Sequence, residues 1–369
     1  MVWRVCVQKL PWLFFAAWVS LKWFNRHGIQ HSTVVGALAA HSIPASLYAK
    51  NNASLLNAQL LTALRKAKVD LVPSHLAEAC AAQAVPSFND LILARMANDR
   101  RPVLAALTDK ALMRTWASHR NVSTPEQLLV SQTCNADLFA DRLRGVADYG
   151  FKATHTTGCL VLVERGRIAG HKPCGESRLP PGTRATPEIL LDLCTRWTRT
   201  MYDVTQWAYS KLEPGVLAER LVYAGPRRRK ADDVKCYAFH GKTALVHHVS
   251  DRFDADTGRP KSSAKRDTFY DPVTGLLREG VSMDGNRPLS RRSKKLLSPA
   301  KVKSAANVCD NLARGLDFAR VDLFDDGDTF LAGELTMYPK RGGHAFKPAA
   351  VDAELGRAWC RIPATNATR

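Results

Sequence analysis

The 369-residue chain has no Cys-x-x-Cys pair, although it carries nine cysteines, at Cys6, Cys80, Cys134, Cys159, Cys174, Cys194, Cys236, Cys309 and Cys360. Neither a zinc ribbon nor a disulfide framework is expected from that spacing. Scattered cysteines fit a reducing, cytoplasmic compartment, where they pack as small apolar side chains. No Gly-x-Ser-x-Gly elbow occurs and no cysteine has an evident histidine partner, which removes the usual covalent nucleophiles. Zinc-finger, helix-turn-helix and RNP signatures are missing, so nucleic acid is a disfavoured partner. Internal repeats and low-complexity segments are missing too. The histidines form no metal pattern. His247 and His248 are neighbours in an expected strand, so they point to opposite faces, one toward a core and one toward the surface.

Long apolar runs are also scarce. The longest, Leu10 to Phe24, has about 15 residues and is interrupted by Lys22, short of the roughly 20 that a spanning helix needs. It reads as a buried helix, as an interfacial helix making peripheral contact with the inner face of a membrane, or as a signal or anchor.

Charge of one sign is abundant. Lysine and arginine number 53 against 34 acidic residues, a formal charge of +19. A balance that basic implies an anionic partner: nucleotide, nucleic acid, acidic glycan or membrane surface. Hydrophobic residues make up 46%, enough for a core and for two or three subdomains.

Along the chain, residues 1–100 read as mostly helical, with helical spacing at Leu55–Lys66 and Ser74–Ala84. From Gly150 the pattern turns to strands, Phe151–Thr154 and Cys159–Val163. Thr186-Pro187-Glu188 opens a helix expected to reach about Ser210, and Val216–Tyr223 reads as a strand. Val234–Phe239 and Thr243–Val249 form a hairpin about His240-Gly241. Residues 251–297 are polar and basic, a long loop or an excursion from a sheet. Ser298-Pro299 starts a helix ending near Gly315, and Phe318–Phe324 with Thr329–Thr336 form a last hairpin.

That last hairpin carries the strongest chemical signal. Arg320 and Asp322 interrupt one apolar strand and Glu334 interrupts the other. If Asp322 pairs near Ala332, then Asp322 and Glu334 share a face. Two carboxylates that close need a cation between them, and magnesium prefers one or two carboxylates plus phosphate oxygens. The alternative is a surface hairpin whose charges face water. A second signal is Gly150-Phe-Lys-Ala-Thr-His-Thr-Thr-Gly158, a strand lysine followed by a hydroxyl-rich turn. Backbone N–H groups there can cradle phosphate, although this segment lacks the Gly-Lys-Ser/Thr of a Walker loop. Asp109-Lys110 with Arg114 at helical spacing reads as an exposed helix face with an ion pair. Lys235 enters a half-buried strand after an exposed basic run, and a buried lysine needs an anion.

Taken in order, Asp109-Lys110…Arg114, Phe151-Lys152…Gly158, Glu219, Asp233-Val-Lys235-Cys-Tyr-Ala-Phe-His-Gly241, Arg320-Val-Asp322, Gly333-Glu-Leu-Thr336 and Phe346-Lys-Pro348 resemble the TupA-like ATP-grasp family of bacterial polysaccharide clusters. Ser87-Phe-Asn-Asp90…Asp99-Arg-Arg-Pro102 resembles that family's opening segment, and the likeness covers about residues 85 to 357. The resemblance implies an α+β ATP-grasp fold, two α+β subdomains gripping ATP, over residues 101–225 and 226–369, preceded by a mostly helical region over 1–100. It implies that Lys110 and Lys152 hold ATP phosphates, with Thr156, Thr157 and Gly158 in the phosphate turn. It implies a hinge strand from Glu219 through Leu221 and Val222 beside adenine and ribose, and Lys235 near phosphates or acceptor. Asp322 and Glu334 would bind magnesium. Arg320 would stabilise the transferring phosphoryl group. Many ATP-grasp enzymes have asparagine two residues after the metal glutamate; Thr336 stands there in this chain.

The reaction implied is ligation of a carboxylate to an amine through an acylphosphate. Its acceptor would be an acidic sugar on a surface glycan or its lipid-linked precursor, with basic stretches at Arg227–Lys230 and Arg291–Lys295 to hold the polymer. A kinase acting on a sugar hydroxyl would use the same residues. A basic glycan- or nucleic-acid-binding protein without turnover is the alternative from another class.

Overall fold

The structure is a computed structural model. It describes residues 73–81, 86–172, 174, 179–200, 203, 205–225, 229–250, 266–285 and 296–361. The apolar run at 10–24, the helix expected at Leu55–Lys66, residues 227 and 228 of the first basic stretch and all of the second, 291–295, lie outside the described residues.

Among the described residues four helices come first: α1 (Ser74–Cys80), α2 (Phe88–Asn98), α3 (Pro102–Thr108) and α4 (Lys110–His119). A five-stranded antiparallel sheet follows, in the order β1 (Gln127–Ser131), β5 (Val216–Arg220), β2 (Tyr149–Ala153), β3 (Leu160–Glu164) and β4 (Arg167–Lys172). Helices α5 (Ala136–Arg142) and α6 (Pro187–Thr198) pack on it, and Phe139, Phe151, Val161, Leu190 and Trp197 fill the layer between. After a two-residue-per-strand ribbon, β6 (Tyr223–Ala224) with β7 (Arg229–Lys230), the chain builds a second antiparallel sheet. Its order is β10 (Arg266–Tyr270), β9 (Lys242–Ser250), β8 (Asp232–Phe239), β12 (Phe318–Asp325) and β13 (Phe330–Thr336). Helix α7 (Pro299–Ala313) covers one face of this sheet, and α8 (Ala350–Cys360) closes the described chain after the short pair β11 (Ser282–Met283) and β14 (Phe346–Lys347).

Period-two alternation explains the second sheet. Ala319, Val321 and Leu323 of β12 line up with Ala238, Cys236 and Val234 of β8, and all are buried with Val302, Ala305, Cys309 and Leu312 of α7. Each fully buried Val, Leu or Phe of this layer stabilises the fold by about 1.5–3 kcal/mol. The opposite face carries Tyr237, Lys235, Arg320 and Asp322. One end of it is closed by an aromatic cluster in which Phe88 of α2 meets Tyr237, Phe239, Phe318 and Trp359 at centroid distances of 5.1–6.0 Å. The other end is polar. Helix α2 starts in a reciprocal cap: Ser87 Oγ accepts from Asp90 N at 3.2 Å, while the Asp90 carboxylate accepts from Ser87 N.

Local signals decide several boundaries. Thr186 and Ser298 cap α6 and α7 with proline in the first turn, as the sequence predicts. His240 and Gly241, both at positive φ, form the turn of the β8–β9 hairpin. Helix α6 stops at Thr198 rather than near Ser210. The hydroxyls of Thr198 and Thr200 donate to the carbonyls of Cys194 and Arg196 at 2.9 and 3.0 Å, competing with the helical ladder. Strand β5 ends at Arg220, because Tyr223–Ala224 turns away to pair with Arg229–Lys230. The polar stretch 251–297 contains an edge strand, β10, paired along all five residues with β9.

The cysteine expectation is corrected. Among the described residues four disulfides join Cys80 to Cys360, Cys134 to Cys194, Cys159 to Cys174 and Cys236 to Cys309. Their partners lie 280, 60, 15 and 73 residues apart and are brought together by tertiary packing, which local spacing does not reveal. The argument from thiols to a reducing compartment loses its basis. His248 is corrected as well: α7 covers its face, so both His247 and His248 are buried. Among the described residues no helix is long and apolar enough to cross a membrane.

Candidate active site

The β12–β13 hairpin sets the first half of the site. Asp322 stands directly opposite Glu334, and Arg320 opposite Thr336, so all four side chains share one face. The register differs by two residues from pairing near Ala332, and a one-residue bulge follows, since Leu323 pairs with Ala332 rather than Gly333. Lys235 of β8 flanks Asp322 on the other side. Arg320 grips the Asp322 carboxylate with both arms, Nε to Oδ1 at 2.7 Å and Nη2 to Oδ2 at 2.6 Å. Lys235 Nζ donates to Asp322 Oδ2 at 2.7 Å. Arg320 also donates to Thr336 Oγ1 at 3.0 Å, and the Thr336 hydroxyl donates to Glu334 Oε1 at 3.5 Å. Burial alone would raise the Asp322 carboxyl, but Arg320 and Lys235 outweigh it and hold it well below the usual carboxylate range. Glu334 is the open group, with its side chain 39% exposed against 8% for Asp322.

The first sheet and helix α4, which packs on β13, supply the second half. Lys110 is the first residue of α4, whose N-cap Asp109 accepts from Ala111 N and Leu112 N. Lys110 and Arg114 are buried, rather than forming the exposed ion-paired face that their spacing suggests. Lys110 Nζ donates to the Thr156 carbonyl at 2.6 Å, while Arg114 donates to the Pro125 carbonyl at 2.7 Å and pairs with Glu219. Lys152 donates to the other Glu219 oxygen at 2.5 Å. One buried carboxylate therefore holds two cations. In the turn after β2, Thr156 is buried, Thr157 is exposed and Gly158 adopts a positive φ. Leu221 and Val222 follow the end of β5, both half-buried.

The two halves face each other electrostatically. Burial pushes the Lys152 ammonium well below its ordinary value, and Arg114 and Lys110 push the same way, while Glu334 across the site opposes them. Lys110 is lowered by burial and supported by the same Glu334. Ala332 N donates to the Ser123 carbonyl at 2.8 Å, tying β13 to the segment that leads from α4 to β1. Lys152 thus comes from the first sheet, Lys110 and Arg114 from α4, which packs on β13, and Lys235 and Arg320 from the second sheet, and they gather around Asp322, Glu334 and Glu219.

Two carboxylates and a hydroxyl on one face of one hairpin form an oxygen-only donor set, which fits magnesium. Among the described residues no group of three or more His, Cys, Asp and Glu side chains could hold a metal. An ion at Asp322 and Glu334 would take its remaining ligands from phosphate or water. The buried cations fit an anion as extended as a triphosphate.

Sequence reasoning missed a neighbouring set. His247 of β9 stands opposite Lys235, beside Asp267 of β10. Tyr237 Oη lies 3.4 Å from His344 Nε2, whose Nδ1 is 3.3 Å from Asp284. Burial depresses both histidines, and Arg320 pushes the same way. Only His247 carried a usable signal, as a charged-type residue inside an apolar strand.

No protein-family model matches the chain, and no curated protein matches it. Among solved structures it is similar to the D-alanine–D-alanine ligase of Bacillus anthracis in complex with ATP, at 12% identity over 63% of this chain and 56% of that one, with a TM-score of 0.34. It is similar to the ATP-grasp ligase PsnB in complex with a minimal precursor, at 12% identity over 68% and 60%, TM-score 0.33. The D-alanine–D-alanine ligase of Helicobacter pylori gives 12% identity over 70% and 61%, TM-score 0.36. The chain spans between half and two thirds of these proteins' lengths. Likenesses of this size assign no activity to it.

Proposed function

We propose that the chain is an ATP- and magnesium-dependent carboxylate–amine ligase with an ATP-grasp fold, its two halves at residues 101–225 and 226–369. The observation that carries this reading is the convergence of four basic side chains on the Asp322–Glu334 pair: Lys235 and Arg320 from the second sheet, Lys152 from the first and Lys110 from α4. Lys110 and Lys152, with the turn Thr156–Gly158, hold the ATP phosphates; Leu221 and Val222 flank the adenine, and Glu219 sits at the ribose end while it orients Lys152. Asp322, Glu334 and Thr336 hold magnesium, which when bound neutralises the phosphate oxygens. Arg320 and Lys235 stabilise charge on the phosphoryl group as it moves. The chemistry is then positioning and charge neutralisation: a substrate carboxylate takes the γ-phosphoryl group of ATP, and an amine displaces phosphate to give an amide.

The acceptor in this reading is an acidic sugar of a surface glycan or its lipid-linked precursor, in keeping with the TupA-like resemblance and the +19 charge. The test is the thermal midpoint with and without ATP plus magnesium, on the wild type and on Glu334→Gln. A ligand that binds only the native state raises the midpoint. A rise in the wild type that is lost in the variant supports a nucleotide–metal site on the last hairpin, and no rise in the wild type removes the reading. Products then decide the reaction: amide and free phosphate for a ligase, a phosphate ester for a sugar kinase.

A further inference from the structure

One nitrogen of Arg320 faces all three side chains proposed to hold magnesium. Its Nη2 donates to Asp322 Oδ2 at 2.6 Å and to Thr336 Oγ1 at 3.0 Å, and it lies 3.9 Å from Glu334 Oε1. The Nε of the same guanidinium donates to Asp322 Oδ1 at 2.7 Å, and Lys235 Nζ donates to Asp322 Oδ2 at 2.7 Å. Both carboxylate oxygens of Asp322 are therefore engaged by cations. The strand register places them so. Residues two apart on β12 share a face, and Arg320 and Asp322 stand opposite Thr336 and Glu334 on β13. Magnesium holds its oxygens at about 2.0–2.1 Å. An ion on the same three side chains would need the place that Nη2 holds, and it would meet two positive charges there.

We infer that Arg320 is a latch on the metal site, an internal cation that releases Asp322, Thr336 and Glu334 to a metal ion only when a polyphosphate takes up the guanidinium. This rests on the reading of the last hairpin as a nucleotide–metal site. The Arg320 side chain is 13% exposed and keeps its charge, so leaving Asp322 requires another anion. A polyphosphate offers paired oxygens that match the planar fork. Lys235 is provided for as well: Asp233 Oδ2 lies 3.5 Å from its Nζ, so it retains a carboxylate when Asp322 turns to the ion. Glu334, the most exposed carboxylate of the hairpin pair, gives an incoming ion its first contact. No covalent bond changes. Guanidinium–carboxylate contacts are exchanged for guanidinium–phosphate and carboxylate–metal contacts. Metal and polyphosphate then enter together, each tightening the other by the same factor.

The test uses the full chain, with Mn²⁺ in place of magnesium, followed by water proton relaxation, and with tripolyphosphate as the anion. The wild type should bind Mn²⁺ roughly tenfold or more tighter with tripolyphosphate than without it. Arg320→Gln leaves Asp322 its Lys235 partner, and it should bind Mn²⁺ alone roughly tenfold tighter than the wild type does, with the coupling reduced. Adding Glu334→Gln to that variant should remove the gain. Arg320→Lys keeps a buried cation but cannot hold both Asp322 oxygens as a fork does, so it should shift the same way by less. In the wild type labelled with ¹⁵N-arginine, the Arg320 Nε resonance, assigned by its loss in Arg320→Lys, should stay in place with magnesium alone and move with magnesium plus tripolyphosphate. A wild type that binds Mn²⁺ alone as tightly as with tripolyphosphate overturns the inference. So do folded Arg320 variants that bind Mn²⁺ alone no better than the wild type, or an Nε resonance that magnesium plus tripolyphosphate leaves unmoved. A wild type that binds no Mn²⁺ even with tripolyphosphate is a different result: it overturns the nucleotide–metal reading and this inference with it.

Discussion

Glu219→Gln should destabilise the free protein and at the same time strengthen its grip on polyphosphate. The glutamate side chain is 9% exposed and is shared by Arg114 and Lys152, themselves 6% and 12% exposed. Removing one partner of a buried ion pair costs about 3–5 kcal/mol. Glutamine retains one acceptor for the two cations, so the lower end, about 3 kcal/mol, is expected. At roughly 2–4 °C per kcal/mol, that is a fall in midpoint of roughly 6–12 °C. Lys110 adds a third positive charge nearby, so the substitution leaves three cations with Glu334 across the site and Asp109 beside Lys110 as their acidic neighbours. A charge about 5 Å away at an effective dielectric of about 20 is worth about 3 kcal/mol before screening. Tripolyphosphate, which has no ribose to confuse the result, should therefore raise the midpoint of Glu219→Gln more than that of the wild type. Scanning fluorimetry with and without tripolyphosphate is the assay. A variant as stable as the wild type, or one whose tripolyphosphate shift is the smaller, would refute the view that this carboxylate restrains a phosphate-binding pair.

Three further outcomes are expected. Burial pushes His344 down to about 4, so between about pH 6.5 and 4 the unfolded chain binds a proton that the native one does not; stability falls as pH drops, by about 2 kcal/mol between pH 7 and 5 from this group. Urea unfolding at the two values should show it, and His344→Phe should remove that share. Asp317→Asn leaves Arg95 and Arg101 beside a neutral group in a nearly fully buried cluster with Trp359, so it should lower stability by about 3–5 kcal/mol; a loss under about 1 kcal/mol in chemical denaturation would argue against the cluster. Gly356→Ala gains about 1 kcal/mol of helix propensity, but its new methyl would stand 2.1 Å from the Pro86 carbonyl oxygen and 3.0 Å from the Ser87 carbonyl carbon, backbone atoms that cannot swing away. Net destabilisation of about 1–3 kcal/mol should appear as a lower midpoint, and a more stable variant would contradict the packing of α8 on α2.

What the sequence disclosed was local. Thr186-Pro187, Ser298-Pro299 and His240-Gly241 carry their own turn and cap chemistry, so the two helices start and the hairpin turns where these residues predict. Arg320, Asp322 and Glu334 stand out because charge in an apolar strand needs a reason, and the pairing across the hairpin supplies a shared face. What it hid was distant. Arg114 and Glu219 are 105 residues apart, Tyr237 and His344 are 107, and neither contact leaves a trace in spacing. Strand β10 is concealed by its basic surroundings, and only Phe269 and Tyr270 mark its buried length. The bulge after Asp322 shifts the register by a step that alternation alone does not predict.

The link from Cys80 to Cys360 joins the last residue of α1 to the last residue of α8 at a Cα separation of 5.4 Å. Everything between them, both sheets and every residue of the candidate site, is therefore a closed ring. Its covalent entrance and exit coincide at one point of the surface, the geometry that tolerates circular permutation. A short peptide joining the two ends, with new termini cut in the exposed turn at Arg165-Gly166, would rearrange the order of the gene while leaving every neighbour in the site unchanged.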